Sequence, residues 1–364
     1  MSFQPRLRLL WIATLLGGVA CGGDDADKPT LDAGTRVDGS VSALDASLQT
    51  DASADAAWLD ATDASNDAQV VAYVPPHVDY PSEKPTQAFL LSQVGLYEDA
   101  AKNVLAPDLV SYTPNYTLWS DGAEKSRFMR LPKGAQIDVS DPDHWQFPVG
   151  TVFFKEFAVD GKKLETRVIA RTGTGPRDYF FGSFVWRDDG SDAELAWDGA
   201  SDIRGTDHDA PNVKQCGTCH NGEPGRVLGY SAVQGATAAS LTLYHVPGNA
   251  AESTALGYLH ANCGHCHNPN GSARPDTDLN LRLAVSQLTV ETTSGYVSTV
   301  NKPLQSFMGS DLHVRITPGQ PDQSGLYYRM SQRGVKSQMP PIATKHVDDA
   351  GLGAVRAFIE GLSQ

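Results

Sequence analysis

Two short runs hold the residues that could do chemistry. Cys263, Cys266 and His267 stand as Cys-x-x-Cys-His, and Cys216, Cys219 and His220 repeat that order upstream. Thiols at this spacing reach the two vinyl-derived carbons on one edge of a porphyrin. The histidine that follows then falls beneath the iron. The pattern points to two haem c groups, attached through Cys216, Cys219, Cys263 and Cys266, with His220 and His267 as proximal iron ligands. The 364-residue chain has five cysteines, and the fifth is Cys21, so no pair is left for an ordinary structural disulfide.

Two other chemistries use paired cysteines. Cys263-Gly264-His265-Cys266 is the dithiol sequence of disulfide isomerases, and a low-pKa cysteine at a helix start suits thiol exchange. Here Asn262 rather than an aromatic precedes it, no βαβ pattern surrounds it, and His267 follows. Two Cys-x-x-Cys pairs also suit zinc. These pairs are too widely spaced for a common zinc ribbon, and export would expose free thiols to oxidation. Haem attachment accounts for the terminal histidine of both runs.

The distal side of each iron needs its own ligand. Met339-Pro340-Pro341 places a soft sulfur on a loop fixed by prolines, so Met339 is the expected distal ligand of the second haem. The first haem is less well specified. Only 47 residues separate Cys216 from Cys263, and no Met lies between His220 and Met308. His245, His260, Met308, Met330 or an open position remain, and His260 is the reading adopted, with a hydrogen bond within its own helix region as the alternative. His265, between two attaching cysteines, reads as a surface residue.

These groups need elements to position them. Residues 251–262 read as a helix that delivers Cys263. Residues 348–362 read as an amphipathic helix, with Leu352, Val355, Phe358, Ile359 and Leu362 on one face. Upstream, residues 88–99 read as a short helix, and the pattern after that is β. Strands are expected at 151–159 and 164–171 around the turn Asp160-Gly161, and at 179–186 and 193–197 around Asp188-Asp189-Gly190. The expected fold class is therefore multidomain: a β-rich sandwich or barrel-like domain followed by a mainly α dihaem domain. The aromatic residues of the β-rich part read as core packing in preference to a ligand pocket. Asp207-His208-Asp209 reads as a solvated linker in preference to a metal fragment.

The order helix, Cys-x-x-Cys-His, loops, Met-Pro-Pro, terminal helix resembles a class I cytochrome c domain over about residues 250–364. The segment Pro318-Gly319-Gln320-Pro321, with Ser324, Leu326 and Arg329-Met330, adds to that resemblance. The wider layout resembles an uncharacterised family of bacterial dihaem c-type cytochrome lipoproteins. The matching residues include Leu118 to Lys125, Phe147 to Val152, Glu165-Thr166-Arg167, Arg226 to Gly229 and Tyr258 to His267. What the resemblance implies is haem binding and electron transfer outside the cytoplasm, with no substrate specified. Phe358 departs from it, since Trp is usual there, and this should alter packing more than chemistry.

The N-terminal end reads as export and anchoring. Residues 1–20 have Arg6 and Arg8, a short apolar run and small residues before Cys21, as in a signal peptide. Cys21 resembles the lipidated cysteine of bacterial lipoproteins, although Gly18 stands where Leu is usual. Residues 21–75 then form an expected disordered tether: positions 22–70 hold eleven Asp against Lys28 and Arg36. The β-rich domain is expected at 76–205 and the dihaem domain at 206–364. The formal charge of −14 argues against nucleic acid as a partner. The expected partners are redox proteins, and a membrane through the lipid anchor, in the cell envelope. An extracytoplasmic electron carrier is the leading functional reading. A dihaem enzyme of peroxidase-like or small-molecule oxidising type, with one open-coordinate haem, is the alternative.

Overall fold

The structure is a computed structural model that describes residues 73–235, 244–307 and 310–363, all within one unit spanning 61–364. The expected signal peptide, Cys21, nearly all of the tether and Met308 lie outside the described residues.

The sheet-rich part is built from short strands in chain order. β1 (Tyr97–Asp99) and β2 (Val104–Leu105) form a two-stranded ribbon. β3 (Val110–Ser111), β4 (Glu124–Arg130), β5 (Val152–Val159), β6 (Lys162–Arg171), β7 (Tyr179–Trp186) and β8 (Ala193–Leu195) form a six-stranded antiparallel meander. Each strand pairs with the next, and β3 does not close onto β8. The strands therefore make one open sheet, not the stacked sheets or barrel expected from their number. Asp160 and Gly161 have φ of 50° and 70°, the mirror-image turn whose twist matches the strands it joins. The expected helix over 88–99 shrinks to a single 3-10 turn, Leu91–Val94. Gly95, at φ 80°, ends it and the chain enters β1.

Alternation along β5 explains why both faces are covered. Phe154 and Glu156 point to one face, Phe153, Lys155 and Phe157 to the other. The first face packs on Leu91, Leu96 and Tyr97, with Val168 and Phe184 beside Phe154. On the second face Met129 and Phe153 meet Trp145, Phe147, Val227 and Tyr230. Val227 and Tyr230 belong to the segment after the first cysteine run. Trp145 and Trp186 are 2% and 3% exposed, in keeping with their reading as core.

The remaining elements are helical: α1 (Cys216–His220), α2 (Ala250–Asn262), α3 (Ser294–Thr299), α4 (Gly325–Met330) and α5 (Asp349–Gly361). Asn249 caps α2 by accepting from Ala251 N at 2.9 Å and Glu252 N at 3.1 Å, and Glu252 accepts in return from Asn249 N. Asp348 caps α5 through Gly351 N at 3.0 Å. The apolar face expected on α5 is the one that packs: Val355, Phe358 and Ile359 join Leu256 and Leu259 of α2 in one buried cluster. Among the described residues, no helix is long and apolar enough to cross a membrane.

Asp207-His208-Asp209 is not a solvated linker. His208 is 6% exposed and its Nε2 lies 2.7 Å from the Glu165 carboxylate, while Asp207 and Asp209 meet His346 and Lys345. Glu165 has no exposure, and it also pairs with Arg167 at 2.8 Å.

Candidate functional site

A cavity of about 1030 Å³ lies between the second face of the sheet and the helical part. Ligand pockets usually hold roughly 300–1,000 Å³, so this one is large. Cys216, Cys219 and His220 of α1 line it, together with Cys266, His267 and Met339. Cys263 sits behind this wall, packed with the helical cluster, where burial pushes its thiol up to about 12. All four cysteines of the two runs are free thiols.

The two histidines are held differently. His220 Nδ1 lies 2.8 Å from the Arg226 carbonyl, which can only accept, so the proton belongs on Nδ1 and Nε2 is left as a lone-pair donor. Burial pushes its pKa down to about 4, which keeps the imidazole neutral, the form that binds a metal. His267 follows the end of α2, and its backbone N donates to the Cys263 carbonyl at 2.8 Å. It is 9% exposed, burial lowers its pKa to about 4, and its Nδ1 has no hydrogen-bond partner. A buried ring nitrogen without a partner is uncommon enough to need an explanation, and a metal-site histidine is one.

The fold brings the two runs into contact. The ligand atoms of Cys219, His265 and Cys266 all lie within 4.8 Å of one another. Gly222 makes this approach possible: a Cβ there would sit 2.8 Å from the His265 carbonyl oxygen and 2.9 Å from the Gly271 backbone. Glu223, next in sequence and 3% exposed, accepts from Arg282 and pairs with His144 at 3.0 Å. One carboxylate thus ties the first run to the segment after the second. His265, read from sequence as a surface residue, instead lines the cavity between the runs.

The expected distal residues divide. Met339 is on the cavity wall with Pro340 and Pro341. Its backbone N donates to the Arg329 carbonyl at 2.9 Å, and its carbonyl accepts from Arg333. Asp121 orders the residues that follow, accepting from Thr344 Oγ1 at 2.8 Å and from the backbone N of Lys345 and His346, each at 2.9 Å. His260 does not reach the cavity. Its Nδ1 accepts from Leu283 N at 3.0 Å, and burial takes its pKa down to about 3. Its ring helps to line a separate space of about 40 Å³. His245 is exposed and Met330 is buried in the helical cluster.

The chain reading missed the sheet's contribution. Arg127, Lys155, Arg167 and Ser183 face one another in register across β4 to β7, and all four line the cavity. Phe153, Ile169 and Phe181 form the neighbouring row, and the Phe181 ring centroid is 5.0 Å from that of His220. The available signal was a set of charged residues at inward positions of strongly apolar strands. The pairing register needed to align them was not in the local pattern.

Three comparisons with known proteins found no matching family model, no matching curated protein and no matching solved structure.

Proposed function

We propose that this chain is an extracytoplasmic electron-transfer protein carrying two covalently bound haem c groups. The observation that carries the reading is the convergence of both Cys-x-x-Cys-His runs, Cys263 excepted, on one large cavity, with His267 buried, His220 half-buried and both imidazoles held neutral. Bound there, each haem would supply a one-electron iron couple. The chain's own residues would fix its setting. Cys216, Cys219, Cys263 and Cys266 hold the porphyrin edges. His220 is fixed in one tautomer by the Arg226 carbonyl, and Met339 stands on a loop ordered through Arg329 and Asp121. The capped helices α2 and α5 share one buried cluster beside the second run. Under this reading Cys21 carries a lipid anchor, the acidic segment is its tether, and the partners are redox proteins of the cell envelope.

The test is the full chain made with a c-type cytochrome maturation system. Its intact mass should carry two haem additions, with a reduced-minus-oxidised spectrum of the c type. An unmodified mass under those conditions rejects the reading. The variant Met339→Ala should keep both haems, lose the ferric absorption near the red end that reports sulfur on iron, and lower one reduction potential. An unchanged spectrum would move the ligand role to another residue.

A second reading has its own support. Neither His260 nor His245 lines the cavity, so the first haem lacks the distal histidine expected for it. With that position open the protein would be a dihaem enzyme acting on a small oxidant such as peroxide. Low-spin spectra for both haems in both redox states, with no peroxide turnover, would dismiss it.

A further inference from the structure

The cavity floor carries a charge problem that the haem-attachment residues do not solve. Arg127 pairs in register with Lys155, and Lys155 with Arg167, so three cations stand directly opposite one another across three strands. Like charges in that arrangement repel, and the burial of Arg127 and half-burial of Lys155 and Arg167 reduce the water that would screen them. Arg127 is 8% exposed. The ion pairs on this face are those of Glu165, with Arg167 and His208; Arg127 and Lys155 have none among the described residues. Burial pulls the Lys155 ammonium well below its usual range and lowers Arg127 as well.

The carboxylates that line the cavity are engaged elsewhere. Asp121 is taken by the loop at 344–346, Asp198 by Lys84, Asp207 by His346 and Asp209 by Lys345, while Asp276 is exposed. The fourth member of the row adds an independent sign. Ser183 is 1% exposed, lines the cavity, and its Oγ has no hydrogen-bond partner. Ser183 stands opposite Arg167, at one end of a row whose far members, Lys155 and Arg127, have no counter-charge, so the row as a whole is short of an acceptor.

The surroundings say what kind of acceptor. One step along the strands, Phe153, Ile169 and Phe181 make an apolar row parallel to the charged one. Lys155 Nζ and Arg167 Cζ lie 4.8 Å and 4.5 Å from the centre of the buried Phe157 ring, so the two side chains share one aromatic face. We propose that Arg127, Lys155, Arg167 and Ser183 form a carboxylate-binding row that seats the acidic group of a ligand with a flat apolar body. The body lies over Phe153, Ile169 and Phe181. The carboxylate accepts a hydrogen bond from the Ser183 hydroxyl and brings one negative charge to a row in which Glu165 leaves Arg127 and Lys155 unpaired. Two sources share this chemistry: the side-chain carboxylates of a haem attached at the neighbouring cysteines, and a free carboxylic acid.

The test uses the purified full chain, with intact mass recording its haem content, and benzoate as probe against benzyl alcohol as neutral control. For a free ligand, calorimetry should show one saturable benzoate site and no site for the alcohol. Lys155→Met and Arg127→Met should each weaken benzoate about tenfold, the loss of one charge-assisted hydrogen bond. Lys133→Met, an exposed control, should not. If instead a haem supplies the carboxylate, benzoate is silent in the haem-bearing protein, and Lys155→Met lowers one reduction potential while Lys133→Met does not. Should the charge variants fail to fold, Ser183→Ala, which removes a single hydroxyl, should weaken binding a few-fold or shift the same potential by less. Benzoate binding that ignores the row overturns the proposal. So does a haem-bearing protein with neither benzoate binding nor a potential shift, or a haem-free protein that binds no benzoate. A haem-free mass for protein made with the c-type maturation system, with row-dependent benzoate binding, would reject the dihaem reading and leave this one standing.

Discussion

If the proposed dihaem reading holds, replacing Cys216 and Cys219 together by serine should reduce the covalent haem content from two per chain to one. Serine keeps the size of the side chain and removes the sulfur that forms the thioether bond, so the effect on that attachment is all or none. The other pair keeps its own support: the end of α2 delivers Cys263, and His267 is held by the Cys263 carbonyl. The contact among Cys219, His265 and Cys266 makes the experiment sharper, because a merely local disturbance would reach the second run as well. Intact mass separates the outcomes. One haem per chain supports independent attachment at the two runs. Two haems retained would remove Cys216 and Cys219 from the site, and complete loss would mean that the two attachments form a single unit. The reciprocal pair, Cys263→Ser with Cys266→Ser, should give the mirror result. The remaining haem should then lack the Met339 spectral signature, since Met339 is assigned to the second iron.

Much of the local structure was legible because period and punctuation agreed. The run Val152 to Val159 alternates and ends at Asp160-Gly161, and the strand, turn and return strand stand where the pattern puts them. The apolar face of α5 was readable from its spacing, and spacing also singled out the two Cys-x-x-Cys-His runs and Met339 as candidates. What failed was tertiary. Nothing local says that six strands form one open sheet, since that depends on what covers each face. The charged row is invisible for the same reason. Lys155 and Arg167 are twelve positions apart in sequence and become neighbours through the β5–β6 register. His260 shows the reverse: its place before Cys263 suggested a ligand, yet on α2 its ring turns toward Leu283 and away from the cavity. His208 was misread because an Asp-His-Asp run is ordinarily solvated, and only the strand carrying Glu165 gives it a buried partner.

The Glu165 carboxylate should be the most costly single charge to remove. It has no exposure and accepts from Arg167 through both oxygens, at 2.8 and 3.0 Å, while its Oε2 also meets His208 at 2.7 Å. Glu165→Gln keeps the shape and leaves Arg167 without its counter-charge beside Lys155, a defect that costs about 3–5 kcal/mol when a buried pair is broken from one side. The effect should depend on pH with a definite sign. Burial alone would raise the Glu165 pKa, but Arg167 and His208 outweigh it and hold the carboxyl down to about 2. A carboxyl depressed in the fold stabilises it fully above its unfolded value of roughly 4.3, and that share disappears as pH falls towards 2. The shift corresponds to a contribution on the order of 3 kcal/mol. Urea midpoints should therefore separate parent and Glu165→Gln widely at pH 7 and draw together as pH is lowered from about 4.3 towards 2. Parallel pH profiles for the two proteins would show that Glu165 is not what holds the charged face of the sheet together.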